Sequence, residues 1–487
     1  MIAVLLILVP LVAGLGLFAV KSAGGARSMA LLASILVLVV SLLGLTVMHD
    51  KSHLVYDVPW LPMFNSRFHV GLDGMGQLLC LLTAIAFPLI FVATWNNTYA
   101  NANRFYALML LSQAGLMGVF LSMDALLFYF FWELALIPVY FLSSIWGGEK
   151  RIAATFKFFV YTFVGSLIML VGLLYIYFQA GESFSIDVWY NSLHLSADKQ
   201  NWLFWVMFVA FAIKMPIWPF HTWQPDAYEQ APTAVTMVLS GIMVKMGVFA
   251  MLRWLAPVLP DGVYLWGDTV SLLCLVGMVY ASLIAIQQDD VKRLIAYSSI
   301  AHIGLMCLAI FASDRSGLQG VMFQMFAHGV NIIGLWIIAN TIEKKYGTRK
   351  LSELGGIAKV DAGLAIMLVI VALGNIALPL TNGFVGEFMM FNGVFGSQVT
   401  RFGVLDTAVA GICIILSAVY TLNMIKKIIY GDTNARTAAG TPTTAPVLIS
   451  LSVIVVVIFL TGIYPKPMLQ LTSDTVDSIL RYMKTSI

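Results

Sequence analysis

Four charged side chains lie inside otherwise apolar runs of this sequence: Glu133, Lys214, Lys245 and Glu387. An unpaired charge at the centre of a bilayer costs roughly 2.5–3.5 kcal/mol on insertion scales, so a chain that retains four of them is expected to use them. Carboxyl and amino groups in such surroundings are suited to proton transfer. The alternative is a structural ion pair between Glu133 and Lys214, which would leave the other two charges unexplained.

Two histidines extend this set of candidates. Ser298 and His302 are four residues apart, and on a later run Gln324, His328 and Asn331 fall at i, i+4 and i+7, on one face of a helix. Imidazole has an ordinary pKa near 6.5 and exchanges protons readily. The pattern favours a proton relay, whereas each histidine alone could simply be hydrogen-bonded in a core.

Two apolar runs are interrupted by proline and glycine. The run 201–222 ends within the segment KMPIWPFHTWQP, which continues to Pro225, and the run 363–393 contains LPLTNGFVGEF. Broken helices are tolerated at membrane depth only beside protein or water, and paired breaks in matching places indicate a transport site. We expect the carbonyl groups freed by Pro216 and Pro219 to flank Lys214 and to hold water or an ammonium group.

Membrane-spanning helices are the elements that must position these residues. Of the 487 residues, 60% are hydrophobic and 10% are charged, whereas a soluble domain is about 45–50% apolar and 25% charged. A net charge of +3 without a basic cluster excludes nucleic-acid binding. The sequence predicts an all-α polytopic membrane protein with about fourteen transmembrane helices of about 20 residues each. The predicted spans are 2–20, 28–48, 74–95, 104–122, 125–146, 155–178, 201–222, 230–254, 264–286, 294–312, 319–342, 363–393, 405–430 and 445–465.

The two interrupted runs occupy matching positions in the chain. If spans 4–8 and 9–13 are two units, the broken helix is the fourth in each, and the odd number of spans requires the second unit to be inverted. The predicted segments are 1–103 with spans 1–3, 104–254 as the first inverted repeat, 264–430 as the second, and 431–487 with span 14 and an amphipathic, interfacial tail.

The positions of Lys and Arg predict the orientation of the chain. With the N-terminus outside, the inward loops hold the larger share of these residues, including Lys292, and the outward loops hold fewer, including Arg253. No basic segment precedes the first apolar run, so this run is predicted to be a retained span and not a signal peptide. We therefore expect both termini on the outer side.

These motifs resemble the antiporter-like subunits of NADH:quinone oxidoreductase, respiratory complex I. The resemblance covers most of the chain and is strongest from about residue 120 to 430. The segments that carry it are FFWELALIPVYFLSSIWGG with Glu133, KMPIWPFHTWQPDAYEQAPT with Lys214, SGIMVKMGVFAMLRW with Lys245, KRLIAYSSIAHIGLM with His302, FQMFAHGVNIIGLW with His328, and LPLTNGFVGEFMMF with Glu387.

The branch of the family is indicated by Glu387. A glutamate in this context is similar to the M branch, the counterpart of mitochondrial subunit 4, whereas the N branch and the Mrp antiporter D subunits typically have lysine there. The L branch is longer, with a lateral helix. Tyr228 stands where the family usually has histidine, so we do not expect position 228 to carry a proton.

The resemblance implies a redox-inactive subunit that translocates protons. Flavin, iron–sulfur clusters and quinone are expected on partner subunits, with neighbouring subunits L and N beside this one, in a bacterial inner membrane. The isolated Cys80, Cys274, Cys307 and Cys413 agree with the absence of a cofactor in this chain. The residues implied in proton transfer or electrostatic coupling are Glu133, Lys214, Lys245, His302, His328 and Glu387.

The expected route starts on the inner side and reaches Lys245 through the first repeat. From there, protons would pass His302 and His328 to Glu387 and leave on the outer side, with Glu133 and Lys214 as an electrostatic switch. Other functions that use the same features are an Mrp-type cation/proton antiporter subunit, a membrane-arm subunit of an energy-converting hydrogenase, and a haem protein with both histidines as axial ligands. A pure scaffold would not need the four buried charges.

Overall fold

The computed structural model describes residues 1–47, 51–438 and 440–484. Within these ranges, eleven helices are long and apolar enough to cross a membrane. The other three predicted spans correspond to a helix of 16 residues at the N-terminus and to the two interrupted runs. The helical, polytopic membrane architecture is confirmed, whereas the number of fourteen spans stays a prediction.

The N-terminal part contains a β-hairpin that the all-helical prediction does not include. Its strands pair antiparallel, with Val55 opposite Gly71. Alternating β-branched and aromatic residues favour an extended backbone here. The elements are α1 (Ile2–Leu17), α2 (Ala23–Thr46), α3 (Lys51–Leu54), β1 (Val55–Leu61), a 3₁₀ turn (Pro62–Phe64), β2 (Ser66–Gly71) and α4 (Gly74–Ala93).

The first predicted repeat has its fourth helix interrupted between Lys214 and Trp223, which confirms the break. The last helical run, Thr233–Leu255, is continuous and is called the Lys245 helix below. The elements are α5 (Ala102–Leu121), α6 (Ala125–Trp146), α7 (Arg151–Gln179), α8 (Ile186–Asn191), α9 (Ala197–Lys214), α10 (Trp223–Gln230), α11 (Thr233–Val238), a π-helical turn (Leu239–Met243), α12 (Val244–Ala250) and a second π-helical turn (Met251–Leu255).

The second predicted repeat is also interrupted in its fourth helix, between Asn375 and Asn382. That the two segments are inverted copies stays a prediction. The elements are α13 (Pro260–Gln287), α14 (Val291–Phe311), α15 (Arg315–Tyr346), a 3₁₀ turn (Leu351–Glu353), α16 (Ile357–Val360), α17 (Ala362–Asn375), α18 (Asn382–Phe395) and α19 (Gly403–Ile429).

The C-terminal part consists of α20 (Ala445–Ile463) and the amphipathic α21 (Lys466–Lys484). The apolar side of α21 packs on the chain itself, where Val476 and Ile479 are buried. A Cβ added at Gly74 would lie only 1.9 Å from the carbonyl oxygen of Leu471, so glycine is needed where α21 crosses the start of α4. The amphipathic α21 therefore packs across the start of α4.

Aspartate side chains fix the starts of five helices. Each accepts a hydrogen bond from a backbone amide in the first turn, which satisfies a donor that the helix leaves free. The capping residues are Asp73 for α4, Asp124 for α6, Asp290 for α14, Asp314 for α15 and Asp361 for α17.

The centre of the molecule is formed by three helices. The most apolar windows of the Lys245 helix and of α15 are wholly buried, and that of α14 is almost so. Helices such as α2, α7 and α19 instead expose much of their apolar surface, as expected beside lipid or a partner. The three central helices carry Lys245, His328 and His302, so the candidate residues lie in the most enclosed part of the fold.

Candidate functional site

Lys245 is fully enclosed near the middle of the Lys245 helix. Its ammonium nitrogen donates to the carbonyl oxygen of Ser240 at 2.9 Å and lies 2.8 Å from Nδ1 of His328. Ser240 belongs to the π-helical turn Leu239–Met243, a local departure from the α-helical pattern that is frequent at functional sites. The lysine thus has one fixed acceptor and one partner that can itself exchange a proton.

Lys245 and His328 meet because their helices cross at two glycines. A Cβ added at Gly329 would lie 2.9 Å from the carbonyl oxygen of Gly241, and one added at Gly241 would lie 2.7 Å from a side-chain carbon of Ile333. Small residues allow two helix backbones to approach closely. The space that the missing side chain leaves at Gly241 is therefore filled by α15.

The row of candidate residues continues from His328 towards α18. The rings of His328 and His302 are 5.4 Å apart between centroids, with an interplanar angle of 51°. Nδ1 of His302 lies 3.0 Å from Oε1 of Glu387, and Nε2 of Gln324 donates to the same oxygen at 3.4 Å. His328, and not His302, contacts the lysine, which corrects the expected order. The row is Lys245, His328, His302 and Glu387.

Amide side chains at the break of the fourth helix surround this row. Nδ2 of Asn375, the last residue of α17, lies 3.4 Å from Nε2 of His302. Nδ2 of Asn331 donates at 2.9 Å to Oδ1 of Asn382, the first residue of α18. The interruption thus places polar side chains around the row, in addition to ending the helix.

Glu133 and Lys214 are close enough for the carboxylate charge to act on the lysine. Among the described residues, however, neither Nζ of Lys214 nor Oε1 of Glu133 has a hydrogen-bond partner. The ammonium group lies 5.3 Å from the ring centroid of Trp132, within the range of a cation–π interaction. A directly bonded ion pair, the structural alternative for these two residues, is therefore not what the structure contains.

The backbone around Lys214 also differs from expectation. The carbonyl group of Ala212, which Pro216 was expected to leave free, accepts a hydrogen bond from the amide of Ile217 at 2.9 Å. The prediction that Pro216 leaves this carbonyl free is wrong, because the chain turns tightly enough after α9 for the amide of Ile217 to reach it.

A cluster of ion pairs at one end of the bundle was not found by sequence reasoning. Nζ of Lys292 lies 2.6 Å from Glu343, and Nη1 of Arg293 lies 2.8 Å from Glu229 and 3.3 Å from Asp226. The sequence assigned Lys292 to a loop, whereas the structure buries it. This end is called the Lys292 end. The cluster also contains Lys157, Asp290 and Arg349.

A polar cavity of about 790 Å³ opens at the Lys292 end. Glu229, Lys292 and Glu343 line it, together with residues of the loops before α5 and α7. From Glu229, α10 leads back to Tyr228, whose buried hydroxyl lies near Gln224 and Ser240 but has no hydrogen-bond partner among the described residues. Tyr228, Gln224 and Ser240 are thus a group of buried polar side chains at the turn that holds Lys245.

The opposite end of the Lys245 helix requires a second correction. Arg253, which the sequence places with the outward loops, is buried and forms an ion pair with Asp73 at 2.7 Å. The sequence does contain an indication that Arg253 is buried, because the apolar run continues after it with Trp254 and Leu255. This end of the bundle is called the Arg253 end.

The described side chains of this site do not form a metal-binding or haem-binding arrangement. In the described ranges, no three His, Cys, Asp or Glu residues are placed to hold a metal ion. His302 and His328 face each other, and Nδ1 of each is engaged, by Glu387 and by Lys245. The two imidazoles thus form part of a hydrogen-bonded row and are not arranged as axial ligands on either side of a haem.

Comparison with known proteins shows the family to which the chain is similar. A family model described as "NADH:quinone oxidoreductase/Mrp antiporter, TM" matches residues 122–413. NADH-quinone oxidoreductase subunit M of Rickettsia conorii is 36% identical over 427 residues, which are 86% of this chain and 85% of that protein.

Solved structures show the same fold. A chain in respiratory complex I from Thermus thermophilus superposes with a TM-score of 0.88 at 27% identity, covering 98% of this chain and 100% of that one. A chain of the Mrp complex from Dietzia sp. has a TM-score of 0.86 at 21% identity, covering 99% of both. The likeness to the Mrp chain concerns the fold alone.

Proposed function

The chain belongs to the NADH:quinone oxidoreductase/Mrp antiporter transmembrane family, and from this we propose that it is a proton-translocating membrane-arm subunit of an NADH:quinone oxidoreductase. Quinone reduction elsewhere in the complex would drive proton movement through this chain. The relatives named subunit M support the choice of complex. The observation that carries the proposal is the enclosed row from Lys245 to Glu387, in which each member is a group that can bind and release a proton.

Protons enter at the Lys292 end in this proposal. The polar cavity there is lined by Glu229 and Lys292, and also by Thr233, the first residue of the Lys245 helix, which leads on to the π-helical turn. The excess of Lys and Arg in the loops of this side supports its assignment to the inside of the membrane. Lys245 is the first group of the buried row that an incoming proton reaches.

Transfer along the row runs sideways between the two predicted repeats. Lys245 donates to His328 across 2.8 Å, and His302 exchanges with Glu387 across 3.0 Å. Between the two histidines, the step requires ring rotation or a bridging water, because the centroids are 5.4 Å apart. Histidine suits both steps, since its two ring nitrogens can accept and donate in turn. Glu387 then releases the proton towards the outer side.

Glu133 and Lys214 act as an electrostatic switch in this scheme. Because the two charges interact without a direct hydrogen bond, a small displacement of either changes the potential at Lys245 without breaking a bonded pair. Moving one charge against about 150–200 mV requires roughly 3.5–4.6 kcal/mol. The proton affinity of Lys245 must therefore change by about that amount during a cycle. Nearby charge in a low-dielectric interior can supply energies of this size.

The subunit is proposed to be redox-inactive. Its four cysteines are buried and distributed over different helices, which suits a structural role. Flavin, iron–sulfur clusters and quinone would be bound by partner subunits, and the immediate neighbours would be the antiporter-like subunits L and N. We place the chain in a bacterial inner membrane with both termini outside.

Replacement of Lys245 tests this proposal. Lys245→Met keeps most of the side-chain volume and removes the titratable group, and Met246→Leu is a volume-conserving control on the same buried helix. NADH oxidation and proton uptake are recorded together in sealed vesicles that contain the assembled complex. We expect Lys245→Met to lower proton pumping and Met246→Leu to leave it unchanged.

The two readouts distinguish three results. A fall in both oxidation and pumping means that Lys245 lies on a tightly coupled path, and a fall in pumping alone means that this subunit is a separable pump. Unchanged pumping in Lys245→Met would contradict the proton route. Pumping that depends on sodium would instead favour the cation/proton antiporter function, which the family description also includes.

A further inference from the structure

Arg253 is held rigidly at the Arg253 end of the Lys245 helix. Its guanidinium donates to Oδ2 of Asp73 at 2.7 Å and lies 2.9 Å from the sulfur of Met123. The side chain is only 5% exposed, whereas that of Asp73 is 29% exposed. Asp73 is itself fixed, because its other oxygen caps α4. A permanent positive charge is thus anchored eight residues after Lys245 on the same helix.

An aromatic layer separates this charge from the lysine. Phe249 lies between them in the helix, and the guanidinium carbon of Arg253 is 5.0 Å from its ring centroid. The Phe249 ring packs against Phe120 at 5.5 Å and Phe128 at 6.4 Å between centroids. All three rings are buried. Eight residues of helix correspond to roughly 12 Å, and most of this distance is filled by apolar groups.

A cavity of about 380 Å³ opens from the protein surface on the other side of the arginine. Arg253 and Asp73 line it, together with Tyr190 and residues of α21 such as Asp474 and Ser478. The lining combines these polar side chains with a larger apolar part that includes Leu54, Leu72 and Leu471, and the cavity is called the vestibule below. The arginine therefore stands where this vestibule meets the aromatic layer, on the side of Lys245 that faces away from the Lys292 end.

We propose that Arg253, held by Asp73 above the Phe249 ring, is a barrier that prevents a proton on Lys245 from passing directly to the Arg253 end of the membrane. The inference rests on the proposed function, because it assumes that Lys245 carries a proton. With this direction closed, a proton on Lys245 moves onward laterally through His328. Arg253 thus sets the direction in which the proton moves from Lys245, but it does not itself accept or release a proton.

Two physical properties make arginine suited to this task. The guanidinium group remains protonated under all physiological conditions, so it cannot act as a step in a relay as lysine or histidine can. Its fixed charge repels hydronium ions in a narrow passage, an effect that excludes protons and cations in channels. Lys245, in contrast, can release its proton. Its neighbour is a histidine, which can accept that proton, and not a carboxylate.

The test measures passive proton leak in proteoliposomes that contain the assembled complex, without NADH. A potassium diffusion potential is imposed with valinomycin, and internal pH is followed. Arg253→Met and Arg253→Gln remove the charge, the second with retained hydrogen-bonding capacity towards Asp73, and Arg253→Lys keeps the charge. Arg315→Met is the matched control, because Arg315 also pairs with an aspartate, Asp477, at this end of the bundle but is half exposed.

We expect protons to leak through both neutral variants on the order of tenfold faster than through the unmodified complex. The reason is that the positive potential of Arg253, which lowers the local concentration of cations, is removed. Arg315→Met should leak at the unmodified rate, and Arg253→Lys, which keeps the charge but can itself exchange a proton, should leak less than the neutral variants. Addition of Lys245→Met to Arg253→Met or Arg253→Gln should abolish the extra leak, because the proton then lacks its starting point. Leak that stays at the unmodified rate in both neutral variants overturns the proposal, and so does extra leak that persists without Lys245.

The same preparations separate this proposal from the proposed function. If Lys245→Met alone pumps normally with NADH, the proposed function is wrong whatever the leak shows. If Lys245→Met stops pumping and the neutral Arg253 variants do not leak, only the barrier is wrong. If Arg253→Met fails to assemble, Arg253→Gln provides the deciding measurement.

Discussion

The imidazole of His302 and the carboxylate of Glu387 lie 3.0 Å apart, although 85 positions separate them in the chain. The contact joins α14 to α18, and both side chains are buried. Glu387 thus faces the proton row on one side and Gln324 on the other. The carboxylate is placed to receive a proton from a histidine that has no other acidic neighbour in the row.

Glu387→Gln should remove the final proton acceptor while preserving the packing. Glutamine has the same shape and can still accept a hydrogen bond through its carbonyl oxygen. We expect the assembled complex to lose the share of proton pumping that this subunit provides. Glu353→Gln, at a partly exposed carboxylate whose charged partners are Lys350 and Arg436 and not members of the row, is the control. Normal proton-to-electron ratios in Glu387→Gln would show that Glu387 is not on the path.

Gly329→Ala should separate the two helices at the start of the row. The added methyl group would lie 2.6 Å from a methyl carbon of Leu82 and 2.9 Å from the carbonyl oxygen of Gly241. Overpacking of this kind costs about 1–3 kcal/mol. Gly411→Ala is the control, because a Cβ at Gly411 meets no atom within 4 Å. The measurement is thermal inactivation of the purified complex, and equal inactivation temperatures for the two variants would contradict the close crossing.

The sequence was sufficient to find the row but not its contacts. Lys245 and Glu387 are visible because charged residues are rare in apolar runs. The partner of Lys245 is 83 residues away and depends on the crossing of Gly241 with Gly329, which no local pattern indicates.

The burial of Arg253 was not predicted from the sequence. This residue falls near the end of an apolar run and was assigned to a loop, because its partner Asp73 is 180 residues away. The hairpin of β1 and β2 is also absent from the prediction, and its Pro59 lies at an irregular position of a two-stranded sheet, where proline is tolerated.

Tyr228→Phe should leave pumping unchanged. The hydroxyl of Tyr228 is buried and has no close hydrogen-bond partner in the described part of the chain. Its removal therefore leaves no bonded partner unsatisfied, which makes the substitution nearly neutral for stability. Proton-to-electron ratios of the variant complex provide the check. A strong loss of pumping would mean that position 228 carries protons here, against the expectation drawn from the replacement of the usual histidine by Tyr228.

The docking of α21 should not depend on pH between about 5 and 8. The hydrogen bond from Arg315 holds the pKa of the Asp477 carboxyl below its usual value. A carboxyl whose pKa is lowered in the folded protein stabilises that protein at pH values above the pKa of the unfolded chain, which is near 3.9. This stabilisation is lost only as the pH falls through the lowered pKa. A spin label at the exposed Gln470, introduced as Gln470→Cys, reports the mobility of the helix. Increasing mobility between pH 7 and 5 would contradict the assignment.

The most direct test of the central claim, that one connected row carries the protons, is a comparison of proton-to-electron ratios in Lys245→Met, Glu387→Gln and the double variant. Groups that act in one path show non-additive effects, because removal of either already blocks transfer. We predict that the double variant loses no more pumping than each single variant. A double variant whose loss equals the sum of the two single losses would show that Lys245 and Glu387 serve separate paths and would contradict the row.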